Sequence, residues 1–424
     1  MKIIKTCCAS ENEPFLHSFG FKGKTLSGVW QVYVALCSED ASGIGLGVQS
    51  VLWSDSRVFA AYGEQRSNEL MYAVTRYALE LVAGQRYEKP DELIRDIFPR
   101  CRQYACAVTQ MQVTDTFVLN ALVPVDLAAW QLWARQNGVQ SFDAIFSGQC
   151  KQEKLANIPL ITYGTAPEAV RKMAEDGVCI FKIKLGADPD GDGDPAKMLA
   201  WDQNRIQQLH QILKDVHTPY TSSGRCAYYF DANGRYENRS QLERLLECMD
   251  RNGVLAQTVL FEEPFAPENE IEVGDLPVTF AADESAHSLA DVERRMDLGF
   301  RAITLKPIAK TLSATVEMAK YVQAHQGQCF CADLTVNPVM VEWNKNVAAR
   351  LQPLEGMRIG VVESNGAQNY RNWNAMKARL PVPIGGGEQV YTLDSTYYRH
   401  NGGIFEIPEY YRSCLESKCG VTLA

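Results

Sequence analysis

Phe181-Lys182-Ile183-Lys184-Leu185-Gly186, near the middle of the chain, alternates apolar and basic side chains. Successive side chains of a strand face opposite sides, so Lys182 and Lys184 share one face while Phe181, Ile183 and Leu185 share the other. Taken alone, such a basic face is ordinarily solvated. The segments that follow it in the chain give it a different setting.

From Ile158 onward, short apolar stretches alternate with amphipathic ones. Strands are expected over 159–163, 180–185, 227–231, 258–262, 279–283, 302–306, 328–333 and 358–363, with helices between them, for instance over 167–175, 240–251, 289–298 and 312–326. Eight strands, each tied to the next by a helix, is the arithmetic of a barrel, an open doubly wound sheet being the other arrangement. The fold class is therefore α/β, with barrel residues 121–382. Residues 1–120 read as a small α+β domain: strands over 29–36 and 46–53 around a turn-rich break at 38–45, then helices over 68–82 and 90–104. A strongly apolar helix begins near Ala121. Residues 383–424, which include glycines at 385–387, carry no further strand–helix unit and are expected to return to the first domain.

The composition narrows the function. Of 424 residues, 46% are hydrophobic and 22% charged, which suits a globular protein with ample core. A formal charge of −9 and a pI near 5.4 argue against nucleic acid as a partner. No membrane partner is expected, because no run of about 18 apolar residues occurs. The thirteen cysteines are scattered, none in a CxxC pair, and are expected to be reduced thiols of a cytoplasmic protein.

In a parallel barrel, reactive groups gather at the carboxyl ends of the strands. The last inward residues of the expected strands are Lys184, Asp231, Glu262, Asp283 and Lys306. Each has an ordinary reading. Asp231-Ala232-Asn233-Gly234 is also a strand-ending turn, Glu262-Glu263-Pro264 a solvated strand end, and Asp283-Glu284-Ser285 a helix cap. What ordinary readings do not account for is all five at the same end of consecutive units. Three carboxylates from three successive strands form a hard-oxygen site suited to Mg²⁺, flanked by two lysines.

The ordered set resembles the enolase superfamily, and within it the mandelate racemase/muconate lactonizing enzyme subgroup. FKIKLG at 181–186 is similar to the paired-lysine motif of the second barrel strand, YYFDANGRY at 228–236, LFEEPF at 260–265 and FAADES at 280–285 to the three metal motifs, and AITLKP at 302–307 to the sixth-strand lysine motif. The helical segment Pro124-Val125-Asp126-Leu127-Ala128-Ala129-Trp130 resembles the one just before the barrel. The resemblance spans nearly the whole chain. It implies a modified TIM barrel, (β/α)7β, with an α+β capping domain formed by the N-terminal part and the C-terminal tail. It implies Mg²⁺ on Asp231, Glu262 and Asp283, a Lys184/Lys306 acid/base pair on opposite faces of a small carboxylate substrate, and Lys182 behind Lys184 as a source of positive charge. Asn233, Glu263, Glu284, Asp333 and Glu363 would support the site or touch substrate. Family members are usually homo-oligomers, and this chain is expected to be one.

The chemistry asks for these residue types. Removing a proton α to a carboxylate leaves an enediolate with two negative charges on one small group, which a divalent cation stabilises. A lysine serves as base when burial and nearby positive charge lower its pKa. Bases on both faces give a racemase, epimerase or cycloisomerase. A β leaving group would give a lyase instead, by syn-elimination as in o-succinylbenzoate synthase-like members or acid dehydratases. A non-catalytic binding protein on the same fold is the third reading.

The chain departs from the family pattern in places. After Lys306 the sequence runs Pro307-Ile308-Ala309-Lys310-Thr311 where the usual motif has a pair of glycines. Glu363-Ser364-Asn365 replaces the two aspartates by which dipeptide epimerases hold an ammonium group. The seventh strand ends at Asp333 without the histidine of the mandelate racemase group. DPDGDGD at 188–194 is not an EF-hand, whose twelfth position would be Leu199 here. By position, the loops at 19–28 and 53–57, with Asn337, Asn365 and Asn369, are expected to select the substrate.

Overall fold

Gly43, Gly45 and Gly47 lie on one face of a strand, and a long helix rests directly on them. A Cβ on Gly43 would fall 2.2 Å from the carbonyl oxygen of Ala128, and one on Gly45 would fall 2.0 Å from that of Pro124. The turn-rich break expected over 38–45 is a turn only over 38–41; from Ser42 the chain is already strand β3, and its glycines admit the helix Asp115–Gln136. Asn120 on that helix donates to Val48 O and accepts from Ser50 N, both at 2.9 Å.

The computed structural model describes residues 1–21, 24–380, 389–406, 408–420 and 422–423. The glycines at 385–387, the boundary at 382/383 and residues 22–23 of the 19–28 loop lie outside the described residues. An antiparallel sheet of β1 (Lys5–Phe21), β2 (Lys24–Cys37) and β3 (Ser42–Gln49) opens the chain. β1 was not anticipated, because its polar, irregular sequence hides any period of two. Leu46–Trp53 is not one strand either: Val51–Ser54 forms a helical turn that carries Trp53. The helices Ser56–Val82 and Pro90–Thr109 follow. The helix Asp115–Gln136 is long and apolar enough to cross a membrane, yet 94% of its most apolar window is buried inside the protein, as befits a core helix.

The barrel strands are β4 (Lys154–Ile158), β5 (Leu160–Ile161), β6 (Ile180–Lys184), β7 (Ala227–Asp231), β8 (Thr258–Glu262), β9 (Phe280–Ala282), β10 (Ala302–Leu305), β11 (Gln328–Cys331) and β12 (Gly360–Glu363). Pro159 separates β4 from β5. β4 pairs in parallel with β12, and β5 pairs in parallel with β6, so one interrupted strand joins last to second and closes the ring. Proline supplies no N–H to a ladder, which is why the strand changes partners there. The inward set follows the period of two: Ala156, Ile158, Ile180, Ala227, Tyr229, Leu260, Ala281, Ala302, Phe330 and Val361 pack into one buried cluster. Residues two or four further along the same faces reach the carboxyl-end mouth.

Two departures from the expected architecture concern connections. Between β8 and β9 the link over 263–279 has no helix. The C-terminal segment does not pass straight to the first domain: β13 (Val390–Thr392) first pairs antiparallel with β4 in the barrel sheet. The helix Glu409–Cys419 then packs on β1, where Cys419 is joined to Cys7 by a disulfide across 412 residues. The reading of the cysteines as reduced thiols, with disulfides the lesser alternative, is thus corrected for Cys7 and Cys419, since their pairing depends on two distant segments meeting. The other eleven cysteines are free.

Candidate active site

Strand register brings the basic face of β6 against the acidic end of β7. Lys184 is the ladder partner of Asp231, and Asp231 is the partner of Glu262. Asp283 lies two residues beyond Ala281, the partner of Glu262. Lys182, Lys184, Asp231, Asp283 and Lys306 consequently line one cavity, with Asn233, Glu284, Asp333 and Glu363. Glu262 is fully buried beneath them.

The oxygens of the three central carboxylates already have partners within the chain. Lys184 Nζ lies 2.5 Å from Asp231 Oδ2 and 2.6 Å from Asn233 Oδ1. Asp231 Oδ1 accepts from Asn233 N at 3.0 Å. Glu262 Oε1 accepts from Thr304 Oγ1 at 2.9 Å, and Oε2 accepts from Tyr229 OH. Lys306 Nζ donates to Asp283 Oδ2, and Lys310 Nζ lies 3.0 Å from Oδ1.

Lys182 is deeper than a neighbour of Lys184 would be. Its Nζ is 3.0 Å from Asp231, 2.9 Å from Glu262 and 3.2 Å from Glu363, so its charge is committed to three acids. Burial alone would lower the Lys182 pKa, but those carboxylates outweigh it and hold it well above the usual lysine range. Burial likewise opposes the charge on Lys306, and Asp283 more than restores it. Both lysines are therefore ammonium groups in this arrangement. Burial pushes the acids up as well, but Lys182 and Lys184 hold Asp231 below the usual carboxylate range, as Lys306 and Lys310 hold Asp283. Glu262 goes the other way, raised by burial and then by the charge of Asp231.

The remaining sequence-identified residues frame the site. Asn233, at φ 45°, donates to Glu284 Oε1 at 2.9 Å while accepting from Lys184. Glu263, at φ 41°, accepts from Asp283 N at 2.7 Å and Ser285 Oγ at 3.1 Å, which fixes the turn after β9. Burial and the nearby Glu284 push its carboxyl up to about 8. Asp333 accepts from Leu334 N and Asn365 N, tying the ends of β11 and β12, and is pushed up to about 7 by burial. Glu363 accepts from Lys182.

Sequence reading missed several contributors. Lys310 lies in the stretch that departs from the family pattern, a signal that something there is specific to this chain. Asp202, on the helix Pro195–Leu213, accepts from Gly186 N at 2.9 Å and Tyr236 OH at 2.8 Å, clamping the loops after β6 and β7. Asp126 accepts from Leu312 N at 2.7 Å and Ser313 N at 3.0 Å, and so anchors the helix Leu312–Ala324 that follows the Lys306 loop. Trp53, by contrast, opens the 53–57 segment expected to face the substrate, and it lays its ring 4.4 Å from Lys306 Nζ.

Among the described residues, no group of three or more His, Cys, Asp or Glu side chains is arranged around a common metal position. The ammonium groups occupy the carboxylate oxygens instead. The donor set nevertheless suits a hard cation: three carboxylates come from adjacent strands, and the buried Glu284 Oε2 in the same pocket has no hydrogen-bond partner.

Solved structures share this architecture. An N-succinyl Arg/Lys racemase from Bacillus cereus ATCC 14579 superposes with a TM-score of 0.67 at 14% identity, over 93% of each chain. A member of the enolase superfamily from Listeria innocua Clip11262 gives 0.66 at 17% identity, over 98% of this chain and 97% of that one. A dipeptide epimerase from Enterococcus faecalis V583, complexed with Mg and L-Leu-L-Tyr, gives 0.64 at 14% identity, over 93% of this chain and 98% of that one. No protein-family model matches the chain, and no curated protein does. At these identities the shared property is the fold: a closed β/α barrel with an N-terminal capping domain, as in those structures.

Proposed function

We propose that this chain is an isomerase, a racemase, epimerase or cycloisomerase, that removes the proton α to a substrate carboxylate and returns it. One observation carries the reading. Lys184 ends β6 and Lys306 follows β10, the second and sixth strands of an eight-strand ring, so two lysines face one pocket from opposite sides. A carbon held between them can lose its proton to one and regain it from the other.

Asp231, Glu262 and Asp283 are the residues that would hold Mg²⁺, which would neutralise charge building on the substrate carboxylate, a contribution of several kcal/mol, and engage Asp283 in place of Lys306. The chain's own groups do the rest. Lys182 keeps Asp231, Glu262 and Glu363 together despite their mutual repulsion. Asn233 orients Lys184 through its side-chain oxygen. Trp53 and the apolar residues around it keep water from Lys306, which strengthens electrostatic interactions inside the mouth.

Deuterium exchange at the α-carbon tests the reading. With Mg²⁺ in D₂O, substrate acids are expected to exchange and to lose optical activity. Absence of exchange across a broad panel of carboxylates would remove the proposal.

A further inference from the structure

The backbone that follows Lys184 is held at each polar atom by groups from outside its own strand. Leu185 N donates to Asp231 O at 2.8 Å, and Leu185 O accepts from Tyr163 OH at 2.8 Å. Gly186 O accepts from Arg235 Nε at 3.1 Å, while Gly186 N donates to both carboxylate oxygens of Asp202, at 2.9 and 3.0 Å. Gly186 stands at φ 79°, and a Cβ there would fall 2.4 Å from Cβ of Arg235, so the chain passes close against its neighbour. Lys306 is anchored differently. Its carbonyl accepts from Ala309 N at 2.9 Å and Lys310 N at 2.7 Å, a turn made by its own loop.

Asp202 reaches the mouth from the helix Pro195–Leu213, outside the strand ring, and none of it is exposed to water. It also accepts from Tyr236 OH at 2.8 Å, and Tyr236 N donates to Pro264 O at 3.1 Å. One buried carboxylate thus gathers the loops that begin after Lys184 and Asp231 and, through Tyr236, the loop after Glu262. An ionised acceptor makes each of these bonds stronger than a neutral one would.

We propose that Asp202 is a positioning residue for the reaction: by tying Gly186 to Tyr236 it sets where the Lys184 ammonium stands, and so governs proton transfer on the Lys184 face and not on the Lys306 face. The proposal rests on the two-lysine reading of the site and adds the group that places one of the two. Asp202 touches no substrate; it acts through the main chain.

The groups facing the carboxylate are donors in this arrangement: the Gly186 and Ala187 N–H of the loop after β6, and Tyr236 OH of the loop after β7. Arg235 and Tyr163 are the other titratable groups near it, and Arg205, on its own helix, is turned to Thr165 O. Burial pushes the Asp202 carboxyl up to about 7, against those hydrogen bonds, from an ordinary 3.8. Above pH 7 the ionised group accepts from all its donors. Below it, one oxygen carries a proton and gives up a bond that it accepted.

Asp202→Asn keeps the size of the side chain and removes the charge. Exchange in D₂O with Mg²⁺ is followed for each enantiomer separately, Lys184→Ala identifying the one that Lys184 deprotonates. In Asp202→Asn that enantiomer is expected to slow about tenfold or more, and its partner by less than about twofold. The wild-type fall in the ratio of the two rates as pH drops through 7 is expected to vanish. Equal slowing of both, or a ratio that keeps its pH dependence, is what a merely structural role would give and overturns the proposal.

A second readout needs no turnover. Reductive methylation with formaldehyde and cyanoborohydride, followed by mass spectrometry, reports how each lysine is presented. In Asp202→Asn, Lys184 is expected to react faster and Lys306 at its wild-type rate. Unchanged reaction of Lys184, or an equal change at both lysines, refutes the proposal whether or not any acid exchanges. A selective change in a protein that exchanges no acid upholds it and removes the acid/base reading instead. If Asp202→Asn does not fold, Tyr236→Phe, which removes one donor and leaves the charge, takes its place, with selective loss on the Lys184 face expected and uniform loss refuting.

Discussion

Lys310 donates to both the carboxylate and the main-chain carbonyl of Asp283, at 3.0 Å and 2.5 Å, and to Ala286 O at 2.8 Å, with no surface exposed to water. The third carboxylate of the mouth is therefore held from behind by one lysine while it faces another. Removing Lys310 leaves the buried Asp283 with Lys306 as its charged partner on one oxygen alone and takes the donor from two buried carbonyls. Lys310→Met is expected to lower stability by about 3 kcal/mol, measured by urea unfolding, whereas substituting the exposed Lys320 should change nothing.

The two lysines across the mouth should divide the work. Lys184→Ala is expected to abolish α-deuterium exchange from one enantiomer and Lys306→Ala from the other, each by at least about a hundredfold. Nuclear magnetic resonance of the separate enantiomers in D₂O reads this directly. Equal losses for both enantiomers in both variants would point away from a two-base arrangement.

A cation that binds only the folded chain must stabilise it. Mg²⁺ at about a hundred times its dissociation constant should add about 2.7 kcal/mol to unfolding, seen as a rise in Tm that EDTA reverses. In Asp231→Asn the rise should vanish.

Asp126 gives a pH signature away from the mouth. Burial pushes its carboxyl up to about 7, against an ordinary value of 3.8. The folded state thus binds this proton more tightly than the unfolded one, and the associated stability is full below pH 4, falls as pH rises through 7, and is flat above. Asp126→Asn should flatten that part of the stability profile, a change of a few kcal/mol between pH 4 and 8 in denaturant titrations.

Thiol titration checks the link between the chain ends. Denatured, unreduced protein should show eleven reactive thiols and reduced protein thirteen, the difference being Cys7 and Cys419. Thirteen in both cases would mean the two sulfurs are not joined.

Much of the barrel could be read directly. The strands ending at Asp231 and Glu262 and the helix Pro167–Glu175 coincide with their expected limits, because apolar alternation and Pro or Asp at a helix start are local signals. β1 and the helical turn at Trp53 could not be read this way. Neither carries its own period; each takes its conformation from the sheet and the helices packed on it. Lys310 and Asp202 were equally silent, since a charged residue in a loop or on a helix looks solvated until the fold buries it.

The sequence by itself determined the direction of each inward side chain, and with it the order of lysines and acids around the mouth, since a period of two is a property of neighbouring residues. Only the tertiary structure decided which lysine meets which acid: Lys182 among Asp231, Glu262 and Glu363, and Lys310 behind Asp283. It also decided that Phe15 and Trp53, from the other domain, close the pocket over Lys306. These contacts join segments tens to hundreds of residues apart. Their formation depends on ring closure at Pro159 and on the packing of one domain over the other, which local alternation does not encode.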